Sequence, residues 1–130
     1  MEENYTVSIE PFAHKHFIKS FEKKYRSAWD VTLRAIIGQF ERIDMLLKKD
    51  VAETIVDSTS VKIIKSKFSV AGTKKSPNAS GNRCILAMHE EYKRVSILLV
   101  YHKNDLGGGA ETANWKRLIK EHYPEYRHLL

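Results

Sequence analysis

The sequence predicts an α+β domain in the order βααβββα: a mainly antiparallel, twisted sheet packed against a helical hairpin, with a further helix at the C-terminus. Three observations carry this. Residues 5–10 alternate apolar and polar, residues 12–47 repeat apolar side chains at steps of three and four, and apolar, β-branched segments recur at residues 61–70, 83–89 and 94–102. At 130 residues, with 42% hydrophobic and 29% charged side chains, residues 1–130 are expected to form one domain that buries its own core.

Tyr5, Val7 and Ile9 alternate with Thr6, Ser8 and Glu10 as in a half-buried strand, and Pro11 then stops the ladder and suits the first turn of a helix. Phe17, Ile18, Phe21 and Tyr25 share one helical face, while Lys15, Lys19 and Lys23 form a separate basic stripe. After a short connection at Arg26 to Ala28, the series Trp29, Leu33, Ile36, Phe40, Ile43 and Leu47 marks a second helix, and the two are expected to pair as a hairpin. That stripe reads as core packing or a partner interface, not as a cofactor pocket.

Asp50 to Ser60 has no period, and Val61 to Val70 then reads as a strand. Gly72, Pro77 and Gly81, with several Ser and Asn, make Ala71 to Asn82 a long, mobile loop. Arg83 to His89 and Arg94 to His102 form a hairpin around the polar Glu90 to Lys93, the second strand being apolar enough to be central. A loop over Asn104 to Gly109 leads to a helix whose face carries Trp115, Leu118, Ile119 and His122 and which Pro124 ends.

Several functions lose support at this level. Cys84 is the single cysteine, so no disulfide framework or zinc-finger pattern exists, and a reducing compartment is expected. The N-terminal residues lack a signal core, and no apolar run approaches the roughly 20 residues that span a bilayer; a cytoplasmic protein without membrane contact is expected. His14 and His16 are two apart on a helix and do not face one ligand, so neither metal nor cofactor is expected. Gly107 to Gly109 lacks the ending of a phosphate-binding loop, and no GxSxG nucleophile motif occurs.

The charge distribution points elsewhere. Lys and Arg number 22 against 16 Asp and Glu, a net charge of +6 that suits an anionic partner. Between Val61 and Asn82 stand Lys62, Lys65, Lys67, Lys74 and Lys75 without a single carboxylate. Lys65 and Lys67, two apart on a strand, project from one face and suit neighbouring phosphates; alone they equally suit a lysine-protected edge strand. Arg83 opens the next strand, where a guanidinium can grip a phosphate with two parallel hydrogen bonds. Tyr101, His102 and Lys103 follow at the end of the last strand, with Tyr101 and Lys103 on one face and His102 on the other. Which of these faces Arg83 shares depends on a one-residue choice of register that the sequence leaves open.

The predicted element order, the lysine strand, the Gly81-Asn82-Arg83 opening and the strand ending Val100-Tyr101-His102-Lys103-Asn104 resemble the RelE/ParE toxin superfamily over residues 5–122. Tyr101 to Asp105, with Glu111-Thr112, Trp115 and Tyr123-Pro124-Glu125-Tyr126, is similar to one group of RelE-like proteins. The resemblance implies a metal-independent endoribonuclease that cuts messenger RNA on the ribosome, inhibits translation and is neutralised by a small acidic antitoxin. It implies phosphate clamping and transition-state stabilisation by Lys65, Lys67 and Arg83, and in so basic a site one lysine can serve as base. Beside the resemblance, Tyr101 or His102, next to Lys103, is expected to supply the proton to the leaving oxygen, and Lys62, Lys74 and Lys75 are expected to contact RNA. Catalytic RelE proteins carry a second arginine after the last strand, where this chain has His102-Lys103-Asn104. The alternative is a non-catalytic member of the fold, either a gyrase-directed toxin or a protein-binding module.

Overall fold

The computed structural model describes residues 4–130 and is built on one five-stranded sheet in the order β1-β5-β4-β3-β2. The strands are β1 (Thr6–Ile9), β2 (Ala52–Asp57), β3 (Lys62–Phe68), β4 (Asn82–His89) and β5 (Arg94–His102). All neighbours are antiparallel except β1 and β5, which run parallel with Val7 beside Val95 and Ile9 beside Ile97. The α+β architecture read from the sequence is therefore present, with one strand more than expected.

The additional strand is β2. It forms the sheet edge and exposes Glu53, Thr54 and Asp57, and a bulge at Ile55 breaks its alternation. β3 is consequently an interior strand, and its lysines do not guard an edge. The apolar β5 is interior as well, but the middle of the sheet is β4.

Helix α1 comprises three contiguous stretches, Pro11–Ala13, a π-helical His14–Ile18 and Lys19–Tyr25. It turns at Arg26, which adopts a positive φ of 54°, into α2 (Ser27–Glu41) and the short α3 (Ile43–Leu46). Phe21 stacks on Trp29 at 4.6 Å between ring centres, and both contact Phe68. These helices cover one sheet face, burying Ile18, Trp29, Ile36, Phe40, Ile43 and Leu46 on Ile64, Phe68, Cys84, Leu86, Met88, Val95, Ile97 and Val100.

The other face is covered by the C-terminal segment. After α4 (Pro77–Ser80) within the β3–β4 connection and two 3-10 turns at Lys103–Leu106 and Gly108–Ala110, α5 (Glu111–His122) lays Trp115 and Ile119 on Ile63, Ile85, Ala87, Leu98 and Leu99. A final 3-10 stretch, Pro124–Leu129, packs Tyr126 into the same cluster, with its hydroxyl 2.9 Å from His89 Nε2. No helix among the described residues is long and apolar enough to cross a membrane.

Register within the β4–β5 hairpin decides which chemistry meets which. Ile85 pairs with Leu99 but Leu86 pairs with Ile97, so Leu98 is an extra residue in β5. Such a bulge turns two successive side chains to one face. Leu98 and Leu99 accordingly both join the α5 core, and every residue beyond them has the opposite facing from a simple count begun at Val95.

Candidate functional site

The bulge places Tyr101 opposite Arg83, and Arg83 is in turn opposite Lys67, so the three form a row across β5, β4 and β3 on the α5 side of the sheet. Lys65 lies one row deeper, opposite Ile85, with Glu53 of β2 beside it in register. His102 pairs with Asn82 and faces the helical hairpin instead. The register left open by the sequence is thereby resolved: Arg83 shares its face with the phenol, not with the imidazole.

A carboxylate enters this row from the C-terminal helix. Glu111, in the first turn of α5, accepts a hydrogen bond from Tyr101 Oη and an ion-paired contact from Lys65 Nζ, both at 2.7 Å and both on Oε2. The Lys65 and Glu111 side chains retain only 13% and 14% of their exposure. Burial opposes ionisation of Glu111, but hydrogen bonds from Lys65 and Tyr101 and the positive charges of Lys65 and Arg83 outweigh it, holding the carboxyl below its usual pKa. Burial first, and then the neighbouring carboxylate, push the Tyr101 phenol far above its usual pKa, so it serves as a hydrogen-bond donor at neutral pH.

Arg83 is buried. Its guanidinium donates to the carbonyls of Asn82 at 2.9 Å, Pro77 at 3.3 Å and Asn78 at 3.4 Å, fixing the α4 turn against the strand. Ser80 supports the same turn, donating to Phe68 O at 2.5 Å and accepting from Asn82 N at 3.0 Å. Lys67 Nζ donates to Asn78 Oδ1 at 2.6 Å. At the other end of the segment Ala71 N donates to Thr32 Oγ1 at 2.9 Å. The stretch expected to be a mobile loop is thus pinned at both ends, and Arg83 is one of its pins.

The remaining candidates lie apart from this row. Lys62 faces the opposite side, beside Met88, and pairs with Glu90 at 2.6 Å. Lys74 and Lys75 are exposed in the β3–β4 connection, Lys74 with a positive φ of 58°. Lys103 is exposed at the end of β5, its amide bonded to Gly81 O at 2.8 Å. His102 accepts from Asn104 N through Nδ1 at 3.1 Å, which leaves the proton of the neutral ring on Nε2. Its ring lies over Gly81 and lines a small cavity of about 70 Å³ with Phe21, Lys24, Tyr25, Asn82 and Asp105.

On the site side, a shallow cavity of about 110 Å³ opens over Lys65 and Lys67, between Asp50 and Glu53. The residue that sequence reasoning left without a role is Glu111. Its signal was faint: one carboxylate at the start of a helix, directly after a glycine turn, where the helix dipole favours a negative charge. Among the described residues no group of three His, Cys, Asp or Glu side chains is placed to hold a metal ion.

No family model and no curated protein matches the sequence. Among solved structures, the chain is similar to the archaeal RelE-RelB complex from Pyrococcus horikoshii OT3, with a TM-score of 0.56 and 11% identity over 76% of this chain and 94% of that one. At that identity the likeness is one of fold. The expected RelE-like fold is what the structure has, and its strands carry the Lys65, Lys67, Arg83 and Tyr101 row.

Proposed function

Proceeding from a RelE-like fold, we propose that this chain is the toxin of a toxin–antitoxin pair, a cytoplasmic, single-domain protein that cleaves messenger RNA on the ribosome without a metal and so inhibits translation. The observation that supports this is that Lys65, Lys67 and Tyr101 share one face at the end of the sheet, with a cavity open to solvent over the two lysines. Two ammonium groups on one strand face suit successive phosphates of a single strand, and their contribution is electrostatic and independent of sequence.

In this reading Lys65 and Lys67 hold the phosphate that is attacked and stabilise its developing charge. Arg83 acts indirectly, by anchoring the turn whose Asn78 holds Lys67. The exposed Lys74, Lys75 and Lys103 supply contacts to flanking phosphates. The partner that restrains the toxin is a small acidic antitoxin, by analogy with the RelB that accompanies RelE in the archaeal complex.

Primer extension on a defined message in a translating bacterial extract tests this. Purified wild-type protein is expected to give discrete cuts that Lys65→Ala/Lys67→Ala removes. Absence of cuts by folded wild type overturns the endonuclease reading. It then leaves the non-catalytic alternative, a gyrase-directed toxin or a protein-binding module, which is favoured by one observation: Arg83 and Lys65 are already engaged within the protein, by carbonyls and by Glu111.

A further inference from the structure

We infer that Glu111 is a catalytic base, taking the 2′-hydroxyl proton of the nucleotide whose phosphate lies against Lys65 and Lys67. This rests on the RNA-cleaving reading above and adds a residue that the sequence patterns do not assign. Three features carry it: the position of the carboxylate, its unused oxygen, and the cation to which it is tied.

Glu111 reaches the row of Lys65, Lys67 and Tyr101 from a separate element, at the first turn of α5. Both of its bonds converge on Oε2, from Lys65 Nζ and Tyr101 Oη at 2.7 Å each, while Oε1 makes no hydrogen bond among the described residues. A carboxylate held rigidly through one oxygen presents the other in a fixed direction, which is what a general base requires. The groups facing it, Lys65, Arg83 and Tyr101, keep it ionised at neutral pH and so able to accept a proton.

The step balances without a metal or a redox partner. The 2′ oxygen attacks phosphorus as its proton passes to Glu111 Oε1; the bond from O2′ to phosphorus forms and the bond from phosphorus to O5′ breaks. The leaving 5′ oxygen takes a proton from the Lys67 ammonium, which water restores, giving a 2′,3′-cyclic phosphate and a 5′-hydroxyl.

Its electrostatic timing follows from the ion pair. Before reaction Glu111 neutralises Lys65. Once Glu111 is protonated, the Lys65 charge is uncompensated at the moment that negative charge grows on the phosphoryl oxygens. The site thus stabilises the transition state more than the bound substrate, which is the condition for acceleration. A lysine without a carboxylate partner would attract both states alike.

The test uses the full chain on ribosomes programmed with a message that the wild type cuts, comparing wild type, Glu111→Gln and Glu111→Asp in single-turnover cleavage across pH. Binding is read by fluorescence anisotropy on an RNA of the same sequence with a 2′-deoxynucleotide at the cut site. Glu111→Gln should cut roughly 100- to 10,000-fold more slowly, lose the acidic limb of the pH profile, and bind the uncleavable RNA at least as tightly as wild type. Glu111→Asp should cut slowly but keep the acidic limb, which separates lost basicity from lost folding. Cleavage by Glu111→Gln at the wild-type rate and pH profile overturns the proposal. So does faster cleavage, which would make Glu111 a blocking occupant. Failure of wild type itself to cut is a different result, and it sinks the endonuclease reading instead.

Discussion

Arg83 and Tyr101 stand opposite each other across β4 and β5, yet their polar ends go separate ways: the guanidinium to the carbonyls of the α4 turn and the phenol to Glu111. Arginine therefore shapes the site while tyrosine faces its chemistry. Arg83→Ala should lower stability by about 2–3 kcal/mol, because it removes bonds from a charged donor and leaves carbonyls unpaired. Arg83→Lys should recover only part, lacking the planar fork. Denaturant midpoints read both, and unchanged midpoints would return Arg83 to the list of direct phosphate ligands.

Gly81 has a φ of +80°, and a Cβ there would lie 2.5 Å from His102 Nε2. Gly81→Ala should cost about 1–2 kcal/mol from backbone strain, with a further loss from displacing the imidazole. Adding His102→Ala should relieve only that further loss. A double-mutant cycle in urea measures it, and strict additivity would show that the ring moves freely.

His89 is held below its usual pKa, first by burial and second by Arg94. The unfolded chain then binds a proton more readily than the folded one, so stability should fall as pH drops through about 6.5, the ordinary histidine value. His89→Gln should flatten this slope while keeping a polar partner for Tyr126. An identical pH profile of the melting temperature in the variant would remove His89 from the account.

Cys84 is fully buried on the helical-hairpin face, and desolvation pushes its thiol well above the ordinary range. An alkylating reagent at pH 8 should leave the native protein unmodified for hours and label it at once in denaturant. The native labelling rate then measures opening of the central strand.

Lys62 pairs with Glu90 on the face away from Lys65 and Lys67, and the hydrogen bond it donates to that carboxylate raises its pKa. Lys62→Ala should leave RNA affinity and its salt dependence unchanged. Lys67→Ala should weaken binding and reduce the logarithmic salt slope by about one phosphate contact. Equal slopes for the two variants would place the RNA path elsewhere.

Periodicity made much of this fold legible. The α1–α2 pattern, the alternation of β1 and the apolar β5 each report burial directly, and each is found where the spacing places it. β2 was not legible because an edge strand buries little and because the bulge at Ile55 breaks its period; backbone pairing with β3 holds it, and that leaves no hydrophobic signature. The lysine pair on β3 was legible as a shared face. The company those lysines keep was not, because Glu111 is 46 residues beyond Lys65 and reaches it only through the docking of α5. Arg83 misled for a related reason: a charged residue at a strand opening reads as surface until the turn that buries it is known.

The extra residue at Leu98 gives this strand a binary character. Deleting one residue there would leave the length of the hairpin almost unchanged, yet it would exchange the occupants of two chemical environments, sending the Tyr101 phenol among the hairpin helices and bringing the His102 imidazole to Lys65 and Lys67. Insertions and deletions in β5 are thus not neutral spacers. Each one toggles whether a phenol or an imidazole shares the face of Lys65 and Lys67, so two chains alike in nearly every position can present different chemistry there.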